Sequence, residues 1–176
     1  LCTVHIYYGK TAPNVPRRVE EISLTARLLA SKAKDYIKID KEYKNYLPEN
    51  LVLLGDFNIF RTTDQTFIAL SEAGFVLPDA LVKGELGGSN VRKDKFYDQI
   101  AFYKTVRDIE NISAGIFDFY DYIYRDSDEA RFRSSGQITE NVRFSDWRTY
   151  QMSDHLVMWT EFAVDKADEY LKQLIR

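Results

Sequence analysis

The chain has 176 residues and a mass of 20.6 kDa, which suits one domain with a substantial hydrophobic core. Its hydrophobic content of 45% is typical of globular proteins, and its apolar runs are too short for a membrane helix. A net charge of -3 with a pI near 5.5 argues against binding of nucleic acid through overall charge, although a local basic groove is still compatible. We expect a single domain over residues 1–176, because the sequence contains no repeat and no linker.

The first nine residues, LCTVHIYYG, predict a β-strand of β-branched and aromatic residues closed by a glycine turn. Because the chain starts inside this strand, without a methionine or a leader peptide, we expect it to be part of a longer protein. Cys2 is the only cysteine, so no internal disulfide can form. This favours a reducing, intracellular compartment, but it leaves the location of the protein open.

An amphipathic helix and a buried strand are predicted next. Pro16 suits the first turn of a helix, and apolar residues recur at steps of three and four from Val19 to Ile37. The segment KNYLPEN (44–50) ends this helix. The continuous apolar run LVLLG (51–55) then predicts a strand that is covered on both faces.

The sequence after LVLLG predicts a short helix, three strands and a terminal helix. Thr62 and Gln65 have the spacing of a capping box for a helix that ends before Gly74. Residues 118–147 predict some helix within a long loop, and Asp165 can cap a helix at the C-terminus. The loop is GELGGSNVRKDK (84–95), and the strands are FYDQIAFY (96–103), IENISAGIFDF (109–119) and HLVMWTEFAV (155–164).

Polar side chains of catalytic type stand beside four of the predicted strands. Singly, each has an ordinary structural interpretation: a GDFN segment suits a tight turn, an aspartate suits a strand edge, and a lone histidine is more often half-buried than catalytic. Together they favour a shared cleft at the strand ends, since both histidines of the chain belong to the set. The set is His5, Asp56 with Asn58, Asp98, and Asp154 with His155.

This combination resembles the endonuclease/exonuclease/phosphatase superfamily, which has the fold of deoxyribonuclease I. The segments that carry the resemblance are VHIYYG, LVLLGDFN, YDQIAF and SDHLVMW, in the order of the family. They span the chain but correspond to the later part of the family's domain. The implied fold is an α+β layered sandwich that lacks its N-terminal strands and supplies one of two facing sheets. An asparagine and the glutamate that is the principal metal ligand would lie upstream.

The resemblance implies metal-dependent hydrolysis of phosphoester bonds, with Mg²⁺ or Mn²⁺ as the cofactor. Asp56 would orient or deprotonate the attacking water, and Asn58 would donate through its amide to the nucleophile or to a phosphate oxygen. Asp154 would join the metal shell, to which Asp56 and Asn58 would also contribute.

The two histidines have separate implied roles. His155 would hold the scissile phosphate, while Asp98 accepts a hydrogen bond from its other ring nitrogen and favours the charged imidazolium. His5 matches a histidine that acts near the leaving group in deoxyribonuclease I. Other branches of the family place different residues there.

The substrate is left open by the resemblance, because the superfamily includes nucleases, phosphoinositide phosphatases, sphingomyelinases and nucleotide-cleaving enzymes. A nuclease acting on phosphodiesters is our first choice, with a phosphatase of lipid or inositol phosphates as an alternative. A non-catalytic binding or scaffolding module is the alternative from another class. Five cations could contact a polyanion, namely Arg92, Lys93, Lys95, Arg143 and Arg148, and Trp147 or Tyr150 could stack on a base. The alternative interpretation is a solvated loop with a packed tryptophan.

An incomplete core would have two consequences. The apolar faces of LVLLG and HLVMW would be partly uncovered, which favours self-association. Without the upstream glutamate the metal would bind poorly, so the chain by itself is expected to show little activity.

Overall fold

The computed structural model describes residues 1–9, 11, 13–42, 51–83, 86–103 and 110–163, with side chains described for all of these except 36–42 and 110–111. This part of the chain is an α+β structure with two β-sheets, which confirms the predicted class. In chain order its strands and helices are β1 (Cys2–His5), α1 (Asn14–Glu42), β2 (Val52–Asp56), α2 (Gln65–Glu72), β3 (Phe75–Val76), α3 (Asp79–Val82), β4 (Asp98–Tyr103), β5 (Glu110–Phe117), α4 (Glu129–Ser134), α5 (Phe144–Gln151) and β6 (Val157–Ala163).

The larger sheet has four strands in the order β1, β2, β4, β3. β1 runs parallel to β2, with α1 as the crossover between them, and β4 runs antiparallel to β2. The register aligns His5 with Asp56 and aligns Asp56 with Asp98. Side chains directly opposite on neighbouring strands point to the same face of a sheet. The sheet therefore presents these three side chains in one row across its end.

The core lies between α1, α2 and one face of the larger sheet. The face of α1 that carries Ile22, Ala26, Ala30 and Ala33 is buried at 4% exposure or less, as its apolar spacing predicts. Leu53 in β2 is fully buried against the same cluster, and burial of one such leucine stabilises the fold by roughly 1.5 to 3 kcal/mol. This packing of α1 against the sheet keeps the sheet end that carries His5, Asp56 and Asp98 rigid.

The smaller sheet pairs β5 with β6 in antiparallel register. Our expectation of a single sheet in this chain was therefore wrong, because the strand at 109–119 pairs with the last strand instead of joining the larger sheet. The two sheets meet where Phe102 packs edge-on against Phe162, with ring centroids 5.7 Å apart. In LVLLG, Leu53 is fully buried, whereas Val52 and Leu54, which point to the other face of the sheet, are only half-buried. Val157 and Trp159, by contrast, are 51% and 42% exposed.

Several local predictions differ from the structure. The N-cap of α2 is Asp64, not Thr62, because residues 62 and 63 form a turn before the helix begins. The short elements β3 and α3 were not predicted, and the region 118–147 resolves into two 3₁₀ turns, α4 and the start of α5. The predicted terminal helix and the segment KNYLPEN lie outside the described residues. In the described part, no helix is both long and apolar enough to cross a membrane.

Gly55 is the glycine whose backbone most directly shapes the sheet end. Its φ is +138°, and a Cβ atom there would collide with the carbonyl oxygen of Val4 in the neighbouring strand. We expect Gly55→Ala to lower the free energy of unfolding by about 2 to 4 kcal/mol, through backbone strain and overpacking together. Denaturant unfolding measures this change. Gly136, which also has a positive φ but has no atom within 4 Å of the added Cβ, is the matched control, and Gly136→Ala should cost roughly 1 kcal/mol. Equal costs at the two positions would contradict the steric argument.

Candidate active site

The row at the sheet end brings a histidine and two carboxylates together. The Nε2 atom of His5 lies 3.5 Å from Oδ2 of Asp56. The side chain of His5 is 80% exposed, whereas that of Asp56 is only 20% exposed. Asp98 stands directly across from Asp56 in the antiparallel register. Asp56 is thus the central and best-shielded member of the row.

The turn after β2 fixes the orientation of Asp56. The backbone N–H of Asn58 donates to Oδ1 of Asp56 at 2.8 Å, and Asn58 has a left-handed φ of 52°, which asparagine tolerates well. Its side-chain Nδ2 donates to the carbonyl oxygen of Ile6 at 2.6 Å. Asn58 is buried at 4% exposure. Its observed contacts tie the loops after β1 and β2 together, and its role as a donor to a phosphate stays a prediction.

His155 is joined to Asp98 from a distant part of the chain. Its Nδ1 atom lies 2.8 Å from Oδ2 of Asp98, and the two side chains are 28% and 22% exposed. Ser89 links the two segments: its hydroxyl accepts from the backbone N–H of Asp98 at 2.9 Å, and its carbonyl accepts from Leu156 N–H at 2.6 Å. Asn90 forms an isolated antiparallel bridge with His155. The sequence predicted the pair and the loop at 84–95, but not the contacts of Ser89 and Asn90 with the pair, because the loop carries no catalytic motif.

The electrostatics of the site couple the row to the distant histidine. The hydrogen bond to Asp98 raises the pKa of His155, against the opposing effect of burial, and the charges of Asp56 and Asp154 raise it further. Burial raises the pKa of Asp56, and so does the nearby charge of Asp98, whereas the Asn58 N–H, His155 and His5 lower it. His155 is therefore biased toward the imidazolium, and Asp56 is a stronger base than an ordinary aspartate.

Asp154 differs in position from the other carboxylates. It is exposed, and its backbone carbonyl accepts a hydrogen bond from Val91 N–H at 3.0 Å. Within the described residues, no group of three or more His, Cys, Asp or Glu side chains is arranged to hold a metal ion. The residues expected in a metal shell, Asp56, Asn58 and Asp154, would offer oxygen atoms, which are the donors that Mg²⁺ and Mn²⁺ favour.

Three aromatic rings beside the row were not identified from sequence. Tyr97 stacks on the ring of His155, with centroids 5.4 Å apart and an interplanar angle of 29°. Tyr8 and Phe60 meet Tyr97 edge-on at 6.2 and 5.7 Å. Burial and a hydrogen bond with the Tyr8 hydroxyl raise the pKa of Tyr97 to about 12. In the sequence, the three rings show only as aromatic residues within three positions of His5, Asn58 and Asp98.

The basic and aromatic residues proposed for polyanion contact are mostly engaged elsewhere. Trp147 packs among Tyr124, Phe132 and Phe144, so its interpretation as a packed tryptophan is the better one. Tyr150 is 89% exposed. Lys95 lies 5.6 Å from the centroid of Phe60, nearer to the row. Three of the cations form ion pairs at 3.1, 2.8 and 2.8 Å: Lys93 with Asp118, Arg143 with Asp146, and Arg148 with Asp126.

The hydrogen bond between Asp98 and His155 gives a direct prediction for pH titration. In Asp98→Asn the carboxylate that favours the imidazolium is lost, so the pKa of His155 should fall. Titration of the histidine ring signals by NMR measures it, and assignment is simple because the chain has two histidines. The matched control is Asp126→Asn, which removes an ion-paired aspartate that does not contact His155. An unchanged His155 titration in Asp98→Asn would contradict the pairing.

No protein-family model matches the chain, and the searches of curated proteins and of solved structures gave no match either.

Proposed function

We propose that this chain is part of a metal-dependent phosphoester hydrolase with a deoxyribonuclease I-like fold. The enzyme cleaves phosphodiesters, and a nuclease is the first choice among the candidate activities. The observation that carries the proposal is the Asp98–His155 pair at 2.8 Å beside Asp56. Two carboxylates with distinct partners and a histidine biased toward its charged form can supply the base and the charged donor for hydrolysis of a phosphodiester. The order of the four sequence segments supports the superfamily.

In the proposed reaction, Asp56 accepts a proton from a water molecule as the water oxygen forms a bond to phosphorus. Its raised pKa brings it closer to the range of an effective general base. The bond from phosphorus to the leaving oxygen breaks on the opposite side, where the leaving oxygen takes up a proton from solvent, and by the resemblance His5 acts near that oxygen. The charged His155 donates from Nε2 to a nonbridging phosphate oxygen, since its Nδ1 is held by Asp98. Negative charge that develops on the phosphoryl oxygens is thereby stabilised.

A divalent cation fits the chemistry of the available donors. The charges of Asp56 and Asp154 both raise the pKa of His155, the residue that holds the phosphate in the proposed reaction. Asn58 adds a carboxamide oxygen in the same turn as Asp56. When bound, Mg²⁺ or Mn²⁺ would neutralise charge on the phosphate and orient it.

The test is a panel of substrates incubated with the natural full-length protein and Mg²⁺ or Mn²⁺, with a chelator added in parallel. The panel contains single- and double-stranded DNA, RNA, bis(4-nitrophenyl) phosphate, phosphoinositide vesicles and sphingomyelin vesicles. We expect chelator-sensitive cleavage of the phosphodiesters, with nucleic acid cleaved fastest. Cleavage of only the lipid substrates would contradict the nuclease assignment. A folded protein that cleaves none of the panel would contradict hydrolysis and favour a binding module.

A further inference from the structure

Within the described residues, the ring of His155 has one side-chain hydrogen bond, which joins Nδ1 to Asp98. A single bond of this kind fixes one corner of the imidazole and leaves the ring free to tilt about the Nδ1 to Oδ2 axis. Tilting would displace Nε2, the atom that faces a bound phosphate in the proposed reaction. Catalysis is sensitive to such a displacement, because moving a reacting group by about 1 Å can lower the rate on the order of 100-fold.

The ring of Tyr97 supplies the second contact. It covers one face of the imidazole, with an interplanar angle of 29°, and it precedes Asp98 directly in the chain. An aromatic ring against the face of a cation is attractive, so the contact is favourable with the imidazolium form as well. One residue pair, Tyr97 and Asp98, thus contacts His155 from two directions: at one ring nitrogen and across one ring face.

Tyr97 is itself held on several sides. Its carbonyl oxygen accepts a hydrogen bond from Phe57 N–H at 2.7 Å, and its hydroxyl hydrogen-bonds with Tyr8. Phe60 packs edge-on against the ring. The guanidinium of Arg18, which is 2% exposed, lies 4.4 Å from the Phe60 centroid and donates to the carbonyl oxygen of Tyr8 at 2.9 Å. The ring of Tyr97 therefore has little freedom to move.

We propose that Tyr97 is a positioning residue that fixes the ring plane of His155 and so holds Nε2 toward the substrate phosphate. Its role in turnover rests on the proposed phosphodiesterase function, whereas its control of the ring plane does not. The ring is the active part of the side chain. Tyr97→Phe should therefore preserve the effect, and Tyr97→Leu should abolish it.

The structure offers a closely matched control. Tyr122 stacks on Phe117 with ring centroids 5.4 Å apart and an interplanar angle of 26°, almost the geometry of Tyr97 on His155. Tyr122→Leu therefore removes a stacked tyrosine ring of the same kind from another part of the molecule. Thermal unfolding of all three variants identifies any general loss of structure.

The experiment compares the NMR signals of the His155 ring at one fixed pH, and the steady-state kinetics of the natural full-length protein, in wild type, Tyr97→Phe, Tyr97→Leu and Tyr122→Leu. His155→Gln assigns the signals. We expect the His155 ring protons to show the ring-current shift of a stacked aromatic in wild type, Tyr97→Phe and Tyr122→Leu, and to lose it in Tyr97→Leu. In Tyr97→Leu kcat should fall by about 10- to 100-fold with little change in KM.

Two results would overturn the positioning role: unchanged His155 ring signals in Tyr97→Leu, or a loss of kcat in Tyr97→Phe as large as in Tyr97→Leu. The NMR comparison needs no turnover, so it decides on the ring contact even if the wild-type protein cleaves no phosphodiester. That combination, an intact ring contact without cleavage, would overturn the proposed function and leave the ring contact supported.

Discussion

Replacement of Asp56 by Asn is expected to lower kcat for phosphodiester cleavage by about 100- to 10,000-fold, the range associated with loss of a general base. Asparagine keeps the oxygen that accepts the Asn58 N–H, but it cannot take a proton from water. Stability should not fall. Burial raises the pKa of Asp56, so its ionised form costs folding free energy at neutral pH, and the neutral amide removes that cost.

The measurement pairs steady-state kinetics with thermal unfolding of the same Asp56→Asn sample of the natural full-length protein, beside its wild type. Asp79→Asn is the matched control, because Asp79 is an exposed aspartate in an ion pair with Lys83, away from the row. Full activity in Asp56→Asn would remove Asp56 from the chemistry. A lost activity that is accompanied by a large loss of stability would indicate a structural role instead.

Replacement of His155 by Gln is expected to lower kcat by about 100- to 1,000-fold, because the neutral amide cannot supply the charged donor that stabilises the developing oxyanion. The dependence of activity on pH shows which protonation state of His155 is active. If the imidazolium is the active form, activity in the wild type is present below the pKa of His155 and is lost as the pH rises through it. Since Asp98 raises that pKa, Asp98→Asn should move the alkaline limb to lower pH.

The comparison is a set of kcat/KM profiles for wild type, Asp98→Asn and Asp126→Asn. The account predicts a displaced alkaline limb in Asp98→Asn alone. An alkaline limb that stays in place in Asp98→Asn would show that His155 does not act as a cation stabilised by Asp98.

Three strands of the larger sheet, β1, β2 and β4, and the helix α1 could be predicted because their signals are local. LVLLG and YDQIAFY are apolar runs of strand length, and the period of the residues from Val19 to Ile37 is that of a helix. The residues of the candidate site could be chosen because polar groups of catalytic type directly adjoin those runs. A pattern of this kind identifies the strand ends but contains no information on which strands are neighbours.

The rest depends on contacts between distant parts of the chain. The register that aligns Asp56 with Asp98, and the loop at Ser89 that joins His155 to the sheet, are set by tertiary packing and leave no periodic signal. The pairing of β5 with β6 was missed for the same reason. Tyr97 reads in sequence as one more aromatic strand residue, and only the structure shows that its ring lies on His155.

The central claim is that Asp56 and His155 act on one phosphate as parts of one catalytic unit. The most direct test is the rate of Mg²⁺-dependent phosphodiester cleavage by the natural full-length protein as wild type, Asp56→Asn, His155→Gln and the double variant, all shown to be folded. Residues that act as a unit give strongly non-additive losses. The account predicts that the double variant is little slower than the slower single variant. Losses in the two single variants that simply multiply in the double variant, or an inactive wild type, would contradict it.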